Sequence, residues 1–156
     1  MICGFGDFDF LIGQWKVHHR QLRGGAARSH GWQEFAGRAE VHKILGGFGV
    51  FDENILFEPH GTYRSVSLRT FDTEANSWSI WWYDSRVPAH QWAPATGKFE
   101  GGIGTFTGER VIEGAASLLR YVWTRTEDTP RCEQSVSADH GITWETNWIM
   151  EFRRAS

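Results

Sequence analysis

Three side chains of this sequence combine acid or base chemistry with an apolar setting. Glu53, Asp84 and His19 each lie in a short alternating segment, on the face that carries more apolar residues. A carboxylate inside an apolar cavity is costly unless it is paired, and its desolvation raises the pKa toward the range useful for proton transfer. These three residues are therefore the candidate catalytic acids and bases.

Each candidate also has a structural interpretation. Arg64 is the expected partner of the carboxylates, and a buried bridge from Glu53 to Arg64 would fix strand register or close one end of a barrel. A lone inward histidine such as His19 is more often a hydrogen-bonded core residue than a base or a haem ligand. His90, on a long loop, is the second histidine considered for those roles.

The same strand faces predict a pocket for a small molecule. Such pockets combine large apolar side chains with a few polar groups. The candidate ligand-binding residues are Arg64, Trp82, Gln134, Thr146 and Trp148. The strands of Arg64 and Gln134 are mixed on both faces, so the direction of these two side chains stays open. The tryptophans also fit ordinary core packing, because aromatic side chains bury large areas.

Other kinds of site are not indicated by the sequence. His18 and His19 fall on opposite faces of one segment, and the histidines show no HExxH or equivalent spacing, so no metal site is expected. The glycines of residues 97–108 lack the Lys-Ser/Thr pair of a phosphate-binding loop and fit hairpin turns. Ser85 lacks the G-x-S-x-G setting of a hydrolase nucleophile. No cofactor is therefore expected, with haem as the alternative.

Composition narrows the class of partner. The 156 residues carry a net charge of −3 and their basic residues are scattered, so neither nucleic acid nor an anionic membrane is an expected partner. The start is not leader-like and no run of about 18 apolar residues occurs, which favours a cytoplasmic protein. That compartment disfavours a disulfide between Cys3 and Cys132. A small apolar or aromatic metabolite is the expected partner, together with a second copy in a homodimer.

Short alternating segments and frequent turns predict an all-β fold that positions these residues. About nine or ten strands are expected, at residues 15–22, 32–45, 51–57, 63–71, 78–84, 97–100, 103–110, 117–125, 131–137 and 144–152. Many short strands in succession favour one closed antiparallel up-and-down barrel over residues 1–156, because closure removes exposed edges; a sandwich is the alternative. Residues 8–13 are expected to form a helical turn or plug, and residues 85–96 a loop that gates the interior.

Stretches spread over nearly the whole chain carry a likeness to known proteins. They include FDFLIGQWKVHHRQL at residues 8–22, GTYRSVSLRTFD at residues 61–72, WSIWWYDSR at residues 78–86 and WETNWIMEF at residues 144–152. Together they resemble a bacterial protein family, the DUF1579 type. That family is similar to the lipocalin-like barrels of the calycin superfamily, so the resemblance implies a barrel with a central ligand cavity. It assigns no catalytic residue.

The sequence supports three functional hypotheses. The first is a cofactor-independent biosynthetic enzyme that cyclises or isomerises an apolar or aromatic metabolite held in the barrel. The second is a non-catalytic carrier or sensor of an apolar ligand or haem, and the third is a dimerisation module with a filled interior. The first needs Glu53 and Asp84 within reach of one ligand, whereas arginine partners at the barrel ends favour the second.

Overall fold

The computed structural model describes residues 4–23 and 31–155 of the chain. The described residues form ten strands and two short 3₁₀ turns, at Asp9–Leu11 and Leu45–Gly47. The strands are β1 (Gly13–Leu22), β2 (Trp32–Ile44), β3 (Gly49–Leu56), β4 (Tyr63–Asp72), β5 (Ser77–Asp84), β6 (Ala95–Glu100), β7 (Ile103–Ile112), β8 (Ala115–Thr124), β9 (Arg131–Ser137) and β10 (Glu145–Arg154). No helix in this part of the chain is long and apolar enough to cross a membrane.

The strands form one closed antiparallel barrel. Each strand pairs with its neighbours in the chain, and β1 closes the sheet by pairing with both β2 and β10. His19 on β1 accordingly lies between Phe35 of β2 and Met150 of β10. Closure removes the exposed edges that an open sheet would leave. The predicted closed up-and-down barrel is confirmed.

Alternation along each strand creates the core. Side chains of a strand point to its two faces in turn. β2 buries every second residue from Phe35 to Val41 and exposes Ala36, Arg38 and Glu40, and β5 buries Trp78 and Ile80 with the half-buried Ser79 between them. Full burial of one large apolar side chain contributes about 1.5–3 kcal/mol. The inner faces of the strands therefore hold the barrel together.

The segment before β1 closes one end of the barrel. Phe8 and Leu11 are almost completely buried there. The Phe8 ring meets the Trp78 ring edge-on, with the ring centres 5.1 Å apart. Trp15 Nε1 donates a hydrogen bond of 2.7 Å to the Leu11 carbonyl oxygen, which ties the segment to β1. The expected turn or plug at residues 8–13 is confirmed.

A loop of residues 85–94 replaces a strand beside the second half of β5. β5 pairs with β6 along only three residues, so the rest of its edge meets this loop. The Trp92 ring packs against Trp82 of β5 with ring centres 5.3 Å apart. Arg110 Nη1 donates a hydrogen bond of 2.6 Å to the Ala93 carbonyl oxygen. The predicted long loop is thus held against the barrel wall, and its gating role stays a prediction.

Candidate functional site

The barrel encloses a cavity in which the centre of a water molecule can occupy about 60 Å³. About 10–15 Å³ on this scale holds one water, so the cavity has room for several waters or one small ring. Its lining residues are Leu11, Val17, His19, Val41, Asp52, Asn54, Leu56, Ser65, Ser67, Arg69, Ile80, Trp82, Tyr121, Trp123, Cys132, Gln134, Trp148, Met150 and Phe152. Polar side chains dominate the part formed by β3 and β4, which lies across the barrel from β8 and β9.

A buried ion pair forms the base of this polar wall. Asp52 Oδ1 accepts a hydrogen bond from Arg69 Nη1, and both side chains are almost completely buried. Asn54 Nδ2 donates a second hydrogen bond, of 2.7 Å, to Asp52 Oδ2. The Arg69 guanidinium lies 5.1 Å from the centre of the Phe8 ring. The two charges cancel, and removing one partner would leave the other as an uncompensated buried charge.

Two serines complete the polar wall. Ser65 and Ser67 are buried on the inner face of β4 and line the cavity. Their cross-strand neighbours on β5 are Asp84 and Trp82. Within residues 4–23 and 31–155, no hydrogen bond joins either hydroxyl to another protein group, and the Nε of Arg69, which also lines the cavity, is buried without a partner. Both hydroxyls are therefore available to a molecule in the cavity.

His19 joins the wall of the cavity as a neutral imidazole. Its ring stacks on Phe35 with ring centres 4.8 Å apart and an angle of 14° between the planes. Burial, with a smaller contribution from the neighbouring His18, lowers the pKa of His19 to about 4. Trp148 Nε1 donates a hydrogen bond of 3.0 Å to His19 Nδ1, so the proton of the neutral ring is on Nε2. A Cβ on Gly37 would lie 2.6 Å from this Nε2, which explains the glycine there.

Four predicted site residues line the cavity. They are His19, Trp82, Gln134 and Trp148. Trp82 and Trp148 pack edge-on with ring centres 6.4 Å apart. Gln134, whose direction the sequence left open, donates a hydrogen bond of 3.0 Å from Nε2 to Asn147 Oδ1. The structure places these side chains together, and their predicted roles in catalysis or ligand binding stay predictions.

A second hollow, lined mostly by polar side chains, borders the cavity. Its lining residues are Gln21, Leu22, Arg23, Gln33, Glu58, His60, Arg86, Gln134 and Asn147. Gln134 is common to this hollow and to the cavity. Its side chain therefore separates the cavity from this hollow.

The expected inward direction of Glu53 is wrong, and Arg64, whose direction the sequence left open, also points outward. Both side chains lie on the outer surface, 54% and 60% exposed, and Arg64 Nη1 donates a hydrogen bond of 3.3 Å to Glu53 Oε1. Phe51 and Ile55 share the face of Glu53, and this made that face the expected inner one. In the structure, Asp52 and Asn54 on the other face of β3 point inward. An exposed pair of this kind contributes about 1 kcal/mol at most.

Asp84 is buried as expected, but it is bound to an arginine instead of lining the cavity. Arg86 donates from Nη2 to Asp84 Oδ2 at 2.6 Å and from Nε to Oδ1 at 3.0 Å, and its backbone N–H donates to Oδ1 at 2.8 Å. The Arg86 guanidinium lies 3.6 Å from the centre of the Tyr63 ring. Asp84 therefore closes the rim of the barrel, and its arginine partner is Arg86 instead of the expected Arg64.

Thr146 lies on the opposite face from the one expected. Thr146 pairs with Ser135, whereas Trp148 pairs with Gln134, so one extra residue interrupts the alternation of β10. Such a bulge reverses the direction of the side chains beyond it. Thr146 Oγ1 and Ser135 Oγ are 3.0 Å apart and share a hydrogen bond, away from the cavity.

Sequence reasoning missed most of the polar wall. Asp52, Asn54, Ser65, Ser67 and Arg69 were not singled out as site residues. A signal existed, because Asp52 and Asn54 alternate in phase with the buried Val50 and Leu56, and the two serines alternate in phase with Phe71. Small polar residues repeated on an inward face indicate space that side chains do not fill.

The remaining reactive side chains do not extend the site. His90 lies on loop 85–94, its ring 4.2 Å from that of Trp92, and outside the cavity lining. Cys132 lines the cavity, but burial raises the pKa of its thiol, and Cys3 lies outside the described residues. In the described part of the chain, no three His, Cys, Asp or Glu side chains are grouped as metal ligands.

Comparison with known proteins leaves the cavity without a family assignment. No family model matches the chain, and a search of curated proteins finds no match. The resemblance to the DUF1579 type therefore stays a prediction.

Proposed function

We propose that this protein binds a small, largely aromatic molecule inside its barrel, as a carrier or sensor. The observation that carries the proposal is the cavity itself. Protein interiors rarely leave voids larger than one water, yet this one has room for several beside two unpaired serine hydroxyls. A dimerisation module with a filled interior would have no use for that space.

The carboxylates favour a binding role over acid and base catalysis. Glu53 is outside the barrel and Asp84 is held by Arg86, so these two do not flank a common ligand. Both carboxylates have arginine partners, Arg64 on the outer surface and Arg86 next to the end of β5, and such partners favour the non-catalytic hypothesis. The catalytic alternative, cyclisation or isomerisation without a cofactor, would depend on His19, the one predicted catalytic residue in the cavity lining.

Haem does not fit the residues present. His19 Nδ1 already accepts a hydrogen bond from Trp148, and Nε2 lies against Gly37. A tetrapyrrole is also far larger than one small ring, the size that the cavity accommodates. The carrier or sensor proposal therefore concerns a small organic ligand.

Native mass spectrometry of protein purified gently from its own cells, paired with a binding screen of small aromatic compounds, tests the proposal. Ser67→Leu fills the cavity, and Ser79→Leu on the neighbouring strand β5 is its matched control. We expect a bound molecule, or binding of at least one screened compound, in the wild type and in Ser79→Leu but not in Ser67→Leu. Equal binding by Ser67→Leu, or no binding by a folded wild type in either experiment, would overturn the proposal.

A further inference from the structure

We infer that the ligand of this cavity is an uncharged, flat aromatic molecule with one hydrogen-bonding edge, of which phenol is the simplest example. In the complex, that edge meets Ser65 and Ser67, while the ring meets the aromatic side chains across the barrel. The inference rests on the proposed function, because it assigns the chemical class of the molecule that the cavity holds.

The charges around the cavity leave no counter-ion for a charged ligand. Asp52 and Arg69 neutralise each other inside the barrel, as Asp84 and Arg86 do at its rim. His19 is uncharged at neutral pH. An ion brought into such a site loses its hydration and gains no opposite charge, which is strongly unfavourable. The cavity therefore selects neutral molecules.

The hydroxyls of Ser65 and Ser67 require a polar edge on the ligand. A serine hydroxyl can donate one hydrogen bond and accept others. Neither of the two has a protein partner in the described chain, and Asn54 beside them uses its Nδ2 on Asp52, which leaves its Oδ1 as an acceptor. A purely apolar ligand would strip water from these groups without replacing its hydrogen bonds, and this costs affinity.

Aromatic side chains of β8 and β10 fit the face of a ring. Tyr121, Trp123, Trp148 and Phe152 come from β8 and β10, and all four line the cavity. β8 lies across the barrel from β3 in the closed strand order. Aromatic rings attract one another in offset or edge-on geometries beyond simple area burial. A flat ring between the two walls satisfies both at once.

Three aromatic probes separate the parts of this inference, of which phenol and toluene are nearly equal in size. Phenol has the hydrogen-bonding edge, toluene replaces the hydroxyl by a methyl group, and benzoate carries a negative charge. Binding is followed at pH 7 through the indole N–H signal of Trp148 in ¹⁵N-tryptophan-labelled protein, assigned with Trp148→Phe. This N–H lies in the cavity wall, where it donates to His19.

The double variant Ser65→Ala/Ser67→Ala should bind phenol about 10-fold more weakly and toluene at least as tightly as the wild type. Its unchanged toluene binding would also show that the cavity is intact. Ser79→Ala on β5 is the matched control and should bind all three probes like the wild type. Benzoate should bind the wild type at least about 10-fold more weakly than phenol.

The possible failures are distinguishable. If toluene binds but phenol affinity is the same in the double variant, the hydrogen-bonding edge is refuted and the proposed function stands. Tightest binding by benzoate would refute the neutral ligand in the same way. If none of the three probes shifts the Trp148 signal, the inference fails together with the proposed cavity function.

Discussion

His19 is buried as a neutral imidazole, so acid should destabilise the folded protein by protonating it. In the unfolded chain the pKa of this histidine is the ordinary 6.5, and in the barrel it is lowered to about 4. Between these values the unfolded state binds more protons than the folded state. The stability that neutral His19 provides is therefore complete above pH 6.5 and is lost as the pH falls toward 4.

The size of this loss follows from the shift in pKa. Each unit corresponds to about 1.4 kcal/mol, so a fall from 6.5 to about 4 makes the total about 3–4 kcal/mol, of which about 3 kcal/mol is lost by pH 4. That amount is a substantial fraction of the roughly 5–15 kcal/mol by which folded domains are stable. Other groups titrate in the same range, so the contribution of His19 must be isolated by substitution.

His19→Asn provides that comparison. The side-chain oxygen of asparagine can accept the hydrogen bond from the Trp148 N–H. Because asparagine does not titrate, the stability lost through its smaller size is the same at every pH. We expect the advantage of the wild type over His19→Asn, measured by urea denaturation from pH 7.5 to 4, to shrink by about 3 kcal/mol. His42→Asn, on the exposed face of β2, is the control. Parallel curves for wild type and His19→Asn would refute a desolvated His19.

Three further substitutions test other parts of the structure. Arg69→Met should lower the unfolding free energy by about 3–5 kcal/mol in urea titrations, because Asp52 becomes an unpaired buried charge; a loss below about 1 kcal/mol would contradict its burial. Glu53→Gln should change that free energy by at most about 1 kcal/mol and leave phenol binding unaltered, whereas weaker binding would return Glu53 to the site. Gly108→Ala places a Cβ 2.6 Å from a carbonyl oxygen of loop 85–94, so limited proteolysis there should accelerate; an unchanged rate would show that the loop does not depend on this contact.

The fold was predictable because strand alternation is a local property. In β10, Trp148, Met150 and Phe152 recur at every second residue, and turn residues separate this strand from β9. Barrel closure follows from a general cost, since an open sheet leaves unpaired edges. Neither strand alternation nor barrel closure depends on which residues meet across the barrel.

The candidate site was only partly predictable, because the direction of a side chain depends on the pairing of strands that are distant in sequence. In β3 both faces carry apolar residues, and the register that sets Asp52 opposite Ser67 decides which face is inside. The bulge before Trp148 likewise depends on how β10 meets β9, and it moved Thr146 away from the cavity. A shift of one residue in the strand pairing exchanges the two faces of a strand. A local sequence pattern therefore cannot show which face is inside.

The most direct test of the central claim is a crystal structure of the protein with 4-bromophenol, in which the anomalous signal of bromine locates the ring. We expect one bromine inside the barrel, with the phenol oxygen within hydrogen-bond distance of Ser65 or Ser67. Bromine found only on the outer surface, or an interior closed by side chains in the crystal, would contradict it.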